Sequence, residues 1–215
     1  EKAVLLDVLE NARNLFLHGS YRFSSYYSLK AIQSASEKSR LFYIPHGSLD
    51  PWVFKSNTLL KHSWLKVFGQ QLFRKSSYVI AATHRELEKI QKWAGSHQNQ
   101  RVIHLPLDLG KLSYETNRSL VRTKYGIPES ARLLCFLGRH HKMKRPLETI
   151  DVLAKVRNPN LHIILIGPND FYTSEEIRKH ARTLGIEKQV HVTGAIYGND
   201  KYSLLNASDA YISLS

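Results

Sequence analysis

The sequence lacks several features that would assign its class directly. Its 215 residues contain one cysteine, Cys135, inside an apolar run, so we expect a small core residue and neither an internal disulfide nor a catalytic thiol. No apolar run approaches the ~20 residues that a membrane-spanning helix needs. The first residues are too acidic, and their apolar run is too short, for a signal peptide. We therefore expect a cytoplasmic protein.

Acidic residues are also scarce. The 18 Asp and Glu residues are outnumbered by 31 Lys and Arg residues, which gives a formal net charge of +13. Such an excess attracts polyanions, which include nucleic acids, anionic lipids and phosphorylated metabolites. No stretch resembles a helix-turn-helix, a zinc finger or the paired aromatic motif of an RNA-binding sheet, so we expect no nucleic-acid partner.

The densest group of cations follows an apolar run at 133–137. This run ends at Gly138 and is typical of a buried strand in a parallel sheet, with a helix beginning at Pro146. Loops at the carboxyl ends of such strands hold ligands in α/β proteins. The loop contains four cations: Arg139, Lys142, Lys144 and Arg145. They suit a phosphate or diphosphate, and the alternative is a solvated basic loop.

Short apolar runs alternate with helical patterns along the chain. The predicted strands of the second half are 133–137, 161–166, 190–194 and 210–214. Those of the first half are 14–19, 41–47, 78–82 and 101–106. Thr173 and Glu176 have the spacing of a helix-capping box. The alternation predicts an α/β fold with two Rossmann-like lobes and parallel sheets.

Short ordered stretches in the second half resemble a known family. They are Gly138-Arg139 with Lys144 five residues after the arginine, Gly167-Pro168, and the segments 192–196 and 206–212. Together they resemble the donor-binding domain of retaining, GT-B-fold glycosyltransferases of family four, the glycosyl transferases group 1. The resemblance implies a nucleotide-sugar donor bound by six residues: Gly138, Arg139, Lys144, Gly167, Ala195 and Ile196. For the last two, an ordinary turn and a core isoleucine remain the alternative.

The first half resembles the acceptor domain of one branch of that family. The matching segments are 18–19, 45–52 and 102–108, of which the second reads Pro-His-Gly-Ser-Leu-Asp-Pro-Trp. The resemblance implies that His46 is an active-site histidine that contacts the transferred sugar, and that His18 and Trp52 lie on the acceptor side. A turn histidine that bonds only to local backbone is the alternative for His46.

The resemblance covers essentially the whole chain and implies the GT-B type of fold. Residues 1–110 would form the acceptor-side lobe, 111–130 the connection, and 131–215 the donor-binding lobe. Both lobes are expected to be incomplete. The family's Gly-rich first turn would precede Glu1, and its two glutamates, spaced eight apart, would follow Ser215. We expect these residues alone to be inactive even if a longer parent protein is active.

The implied reaction moves a sugar from a nucleotide-diphosphate sugar to a glycan or lipid-linked glycan acceptor, with retention of configuration. Negative charge develops on the leaving diphosphate, so Arg139 and Lys144 would stabilise the transition state more than the ground state. Arginine can bridge two phosphate oxygens, while lysine acts as a compact charge. The sequence has no Asp-x-Asp motif, and its histidines are not at ligand spacing. We therefore expect catalysis without a metal or another cofactor.

Other functions stay open. A second enzyme class on the same fold is a nucleotide-sugar epimerase or a phosphorylase. The epimerase would release sugar and nucleotide from the donor without an acceptor, and the phosphorylase would normally need a pyridoxal-phosphate lysine. A non-catalytic module would use its basic surface to bind nucleic acid or anionic lipid, with binding confined to low salt.

A basic amphipathic pattern lies between Trp52 and Lys75. Four apolar residues recur at every fourth position: Leu60, Trp64, Phe68 and Leu72. Such a helix could lie peripherally on an anionic membrane at its inner face. An apolar stripe at this spacing more often packs in a protein core, so we favour packing between the lobes.

Overall fold

The structure is a computed structural model that describes residues 12–34, 39–106 and 117–215. The chain divides into two compact units, Glu1–Leu107 and Asp108–Ser215. Each unit contains a four-stranded sheet whose described strand pairs are all parallel, which confirms the predicted α/β class. Residues 107–108 of the segment that resembles the exit from the first lobe, and 111–116 of the predicted connection, lie outside the described residues.

The first unit has the strand order β1-β2-β3-β4. The strands are β1 Asn14–His18, β2 Arg40–Ile44, β3 Tyr78–Ala81 and β4 Gln100–Val102. The α-helices are Phe23–Ser34, Thr58–Trp64, Gln70–Lys75 and His84–Ala94. Side chains alternate along each strand, and the inward ones form the core of this unit, with Leu41, Tyr43 and Val79 fully buried.

The amphipathic pattern predicted between residues 52 and 75 does not form one helix. A 3₁₀ turn spans Pro51–Lys55, and a π-helical turn at Leu65–Gly69 separates the two α-helices. The π turn lies between Trp64 and Leu72, and the predicted positions on both sides of it still face the same core. Trp64, Phe68 and Leu72 contact the core of the first unit, whereas Leu60 is 72% exposed.

The second unit has the strand order β7-β6-β5-β8. The strands are β5 Arg132–Leu137, β6 Leu161–Ile166, β7 Val190–Gly194 and β8 Ala210–Tyr211. The α-helices are Arg118–Lys124, Pro146–Val156, Ser174–Thr183 and Gly198–Ala207. The predicted strands 161–166 and 190–194 are confirmed, but only the first two residues of 210–214 are in a strand. Cys135 is buried, as expected, and the capping box of Thr173 and Glu176 is present.

A buried arginine joins the helix Arg118–Lys124 to the rest of the second unit. Arg122 is fully buried, and its guanidinium donates to an Asp209 carboxylate oxygen at 3.0 Å. It also donates to backbone carbonyls of Pro128, Glu129, Ala131 and Ala207. Burial alone would raise the pKa of Asp209, but hydrogen bonds from the Leu133 N–H and from Arg118, together with the charges of both arginines, lower it to about 2.

Two neighbouring histidines on β6 and β7 form a stacked pair. Nδ1 of His162 lies 3.0 Å from Nε2 of His191, and the ring centroids are 5.4 Å apart. Burial, reinforced by the charge on His162, lowers the pKa of His191 from its ordinary 6.5 to about 4. Burial and the charge of Arg122 lower the pKa of His162 as well.

This pair predicts that the second unit loses stability in mild acid. Because the pKa of His191 is lower in the folded chain, its stabilisation is complete above about pH 6.5 and decreases as the pH falls to about 4. The free energy of unfolding should change with pH by about 1.4 kcal/mol per pH unit for each proton taken up on unfolding. His191→Gln should reduce this slope, while the exposed-site control His84→Gln should not.

The three tryptophans, Trp52, Trp64 and Trp93, all belong to the first unit, so their fluorescence monitors that unit. Hydrogen exchange of β6 amides monitors the second unit. The pH dependence of the free energy of unfolding between about pH 4 and 6.5 should differ between His191→Gln and the unaltered chain. Equal slopes would contradict the role of the pair.

Candidate functional site

Three glycines bring the carboxyl ends of β5, β6 and β7 close together. Gly138 follows β5, Gly167 follows β6, and Gly194 closes β7. The N–H of Gly138 donates to Ile166 O at 2.9 Å, and the N–H of Gly167 donates to Gly194 O at 2.8 Å. A Cβ on Gly167 would lie only 1.8 Å from the carbonyl oxygen of Gly138. The backbones approach so closely here that only glycine fits at position 167.

The cation loop, residues 139–145, returns to this edge through Lys144. A 3₁₀ turn at Lys142–Lys144 reverses the chain, and Nδ1 of His141 accepts from the Met143 N–H at 3.1 Å. The Cγ and Cδ atoms of Lys144 lie 3.6 Å from where a Cβ on Gly138 would be. The structure therefore brings Lys144 and Gly138, two predicted donor-binding residues, into contact range.

Arg139 lies at the start of the same loop, where it forms an ion pair. Its guanidinium donates to Asp170 at 2.5 Å, and its side chain is 64% exposed. Asp170 belongs to the loop after β6, and sequence reasoning did not identify it. An exposed ion pair of this kind contributes at most about 1 kcal/mol.

His140 holds the cation loop against the loop after β6. Its N–H donates to Pro168 O at 3.0 Å, and its carbonyl accepts from the Tyr172 N–H at 2.8 Å. The imidazole is buried, and burial lowers its pKa, with Asn169 opposing the shift. The two bonds tie the backbone next to Arg139 to the loop after β6.

Ala195 and Ile196 follow Gly194, which has a positive φ of 77°. Ala195 is exposed at the same edge, while Ile196 is half-buried and packs on the core near Leu133 and Leu204. The structure therefore gives Ile196 a packing role. Contact of either residue with a donor stays a prediction.

In the first unit, two predicted site residues lie side by side. His18 ends β1, and His46 lies in the turn after β2. Their rings stack with centroids 5.0 Å apart, and Nδ1 of His18 is 2.7 Å from Nε2 of His46. His46 has a φ of +51°, in the left-handed region that disfavours a residue with a Cβ.

The turn around His46 is fastened by residues that sequence reasoning missed. Glu86 accepts hydrogen bonds from the N–H groups of Gly47 and Ala82, at 2.6 and 2.7 Å. Ser48 donates to Pro45 O at 2.5 Å. Thr83 and Glu86 show the capping-box spacing, which could have located Glu86 at a helix start, but nothing local in the sequence points to Gly47.

Trp52 is not joined to this histidine pair. Its N–H donates to Asp50 at 2.9 Å, and Lys55 lies 4.3 Å above its ring. In the described part of the chain, no hydrogen bond or ring contact links Trp52 to His18 or His46. Its place on the acceptor side stays a prediction.

The described residues contain neither a cluster of metal-ligating side chains nor a membrane-spanning helix. Within residues 12–34, 39–106 and 117–215, no three His, Cys, Asp or Glu side chains converge as a metal ion would require. Over the same residues, no helix combines the length and apolar character of a membrane span. Metal independence therefore stays a prediction from sequence.

Comparison with known proteins agrees with this geometry. A family model described as glycosyl transferases group 1 matches residues 117–215. A search of curated proteins finds no significant match. Among solved structures, HepE of Anabaena, crystallised with UDP-glucose, superposes with a TM-score of 0.80 at 20% identity, over 100% of this chain and 56% of HepE.

Two other structures show the same fold. Sucrose-phosphate synthase of Thermosynechococcus elongatus gives a TM-score of 0.73 at 15% identity, over 98% of this chain and 52% of that one. A glycosyltransferase of Rickettsia africae gives a TM-score of 0.70 at 13% identity, over 100% of this chain and 55% of that one. The chain thus spans about half the length of these proteins. Residues 117–215 of its second unit match the glycosyl transferases group 1 family model, and its two parallel α/β sheets have the fold of these glycosyltransferase structures.

Proposed function

We propose that the protein transfers a sugar from a nucleotide-diphosphate sugar to a glycan or lipid-linked glycan acceptor. Retention of configuration is part of the proposal because the motifs resemble a retaining family. Metal independence is part of it because the sequence has no Asp-x-Asp motif and no histidines at ligand spacing. The family match over residues 117–215 supports the transferase class. A cytoplasmic location and peripheral contact with an anionic membrane stay predictions.

The observation that carries the proposal is the glycine edge of the second sheet. Gly138, Gly167 and Gly194 carry no side chain at the carboxyl ends of three adjacent strands, and the space beside the Cα of Gly194 is open. Arg139 and Lys144 are held at that edge by the cation loop. A strand end without a side chain, next to two cations, suits a diphosphate, since the glycine backbone admits close approach and the cations neutralise the charge of the diphosphate.

The two cations are suited to the leaving group for different reasons. After it leaves Asp170, the exposed guanidinium of Arg139 can bind two phosphate oxygens simultaneously. The chain of Lys144 is packed over Gly138, which limits the region that its ammonium can reach. Once Arg139 has exchanged Asp170 for the donor, both cations are in place before charge develops on the leaving group in the transition state.

Binding of UDP by alanine variants tests the proposal. HepE was crystallised with UDP-glucose, so UDP is the first nucleotide to try. Arg139→Ala and Lys144→Ala should each weaken UDP binding roughly 10- to 100-fold, because each loses a charged hydrogen bond of about 1.5–3 kcal/mol. The control is Lys155→Ala, which removes an exposed charge from the last turn of the helix Pro146–Val156 and should leave binding unchanged.

Titration calorimetry at physiological salt provides the measurement. Uridine should bind far more weakly than UDP, and chelation of divalent metals by EDTA should not change the UDP affinity. Equal affinities for UDP and uridine would contradict the role of the two cations. Equal, low-salt-only binding of UDP and a random oligonucleotide would favour the non-catalytic module. Release of free sugar from UDP-sugar without an acceptor would favour the epimerase.

A further inference from the structure

His46 adopts a backbone conformation that its own side chain disfavours. Its φ is +51°, and the following Gly47 has a φ of +69°, so two successive residues of the turn are left-handed. A residue with a Cβ persists in this region only when its surroundings enforce it. Something outside the turn must therefore hold it.

Glu86 supplies one such constraint, beside Ser20 and Tyr21, which bond to Ser48. Oε1 of Glu86 accepts from the Gly47 N–H at 2.6 Å, and its Oε2 accepts from the Ala82 N–H at 2.7 Å. Gly47 follows His46 in the turn after β2, while Ala82 follows the end of the neighbouring strand β3. One carboxylate thus connects the turn to the adjacent strand.

This arrangement is more than helix capping. The N–H of Glu86 donates to Thr83 Oγ1 at 3.1 Å, as in a capping box. In that motif the glutamate would bond back to the N–H of the cap residue itself, Thr83. Here both carboxylate oxygens are used elsewhere, and one of them reaches a residue 39 positions away in the sequence.

The ring of His46 depends on the turn that Glu86 holds. Nε2 of His46 lies 2.7 Å from Nδ1 of His18, so one of these nitrogens donates a hydrogen to the other. This bond fixes the proton on one ring nitrogen and sets the role of the remaining nitrogen of His46. A shift of the turn by about 1 Å would break it.

We propose that Glu86 is a positioning residue, whose carboxylate holds the turn at Gly47 and thereby keeps His46 bonded to His18. The proposal rests on the proposed function insofar as His46 contacts the transferred sugar. Its structural part, the link from Glu86 to the histidine pair, is tested separately.

The test compares Glu86→Gln with Glu88→Gln in the full chain. Glutamine at position 86 keeps the size of the side chain but replaces one accepting oxygen by an NH₂ group, which cannot accept from a backbone N–H. Glu88 lies on the same helix, is exposed, and serves as the matched control. Imidazole NMR signals of the pair are assigned by their loss in His18→Gln and His46→Gln.

We expect the Glu86→Gln variant to lose the hydrogen-bonded N–H signal of the histidine pair and to exchange its Gly47 amide at least about tenfold faster. The control should match the unaltered chain in both measurements. Unchanged signals and exchange in Glu86→Gln would overturn the proposal. So would an unprotected Gly47 amide in the unaltered chain, a measurement that does not depend on whether the variant folds.

The activity readout separates this proposal from the proposed function. In a preparation that transfers sugar, Glu86→Gln should lower kcat about 10- to 100-fold with little change in the donor KM, because the reacting group is misplaced and donor binding is not. A normal kcat in a Glu86→Gln variant that has lost the histidine signal would refute the positioning role. Absence of UDP binding in the unaltered chain would refute the proposed function and leave the NMR result valid.

Discussion

Replacing Arg122 by alanine should lower the free energy of unfolding of the second unit by about 3–5 kcal/mol, the usual effect of breaking a buried charge pair. The guanidinium is fully buried and satisfies Asp209 together with four backbone carbonyls. Its removal takes one donor from each of these groups, although Asp209 keeps the Leu133 N–H and Arg118. The helix Arg118–Lys124 would then lose its main polar link to β5 and to the chain before β8.

Arg118 provides the matched control for this experiment. It bonds the same carboxylate, Asp209, at 2.6 Å, but its side chain is 42% exposed. Arg118→Ala should therefore lower stability by no more than about 1 kcal/mol. Hydrogen exchange of β6 amides in urea provides the measurement, and tryptophan fluorescence should show the first unit unaffected. Equal losses in the two variants would show that burial of Arg122 is not what stabilises the unit.

Replacing Gly167 by alanine should be the most damaging single-methyl change in the candidate donor site. The added Cβ would lie 1.8 Å from the Gly138 carbonyl oxygen, a backbone atom that cannot turn away. β5 and β6 would have to separate at their carboxyl ends. We expect a loss of about 3 kcal/mol in stability, at the upper end of the usual effect of overpacking. UDP affinity should also decrease, on the order of tenfold, because the cation loop moves with the strand end.

The control is the same substitution on the neighbouring strand. A Cβ on Gly138 would meet the Lys144 side chain at 3.6 Å, an ordinary van der Waals distance to a flexible group. Gly138→Ala should therefore change stability by less than about 1 kcal/mol. The two variants are compared by urea unfolding and by calorimetry with UDP. A Gly167→Ala protein as stable as Gly138→Ala would disprove the close backbone approach.

The parts of the fold that depend on local pattern were predictable. The strand 161–166 is a continuous apolar run with no polar residue besides His162, and Gly167 ends it. The capping box at Thr173 and Glu176 depends on residues three apart, so it was visible too. The helix Arg118–Lys124 was missed because it lies inside the predicted connection and most of its residues are polar.

The candidate site was predictable only where strand ends define it. His18 and His46 end neighbouring parallel strands, so their proximity follows from strand order. The bonds from Glu86 to Gly47 and from Arg122 to Asp209 join residues 39 and 87 positions apart. A single sequence contains no signal for pairs so far separated. Trp52 was grouped with the histidines by motif alone, and the structure gives it different neighbours.

The ion pair between Arg139 and Asp170 has a consequence for selectivity. Asp170 competes with any anion for Arg139, because the anion must displace a carboxylate that already pairs with the guanidinium. Chloride or a lone carboxylate gains little by this exchange, since one negative charge replaces another. Under the proposed function, a diphosphate would bring more charge and extend to a second cation, so it would displace Asp170 where smaller anions would not. The ion pair would then make the loop selective for a diphosphate over monovalent anions.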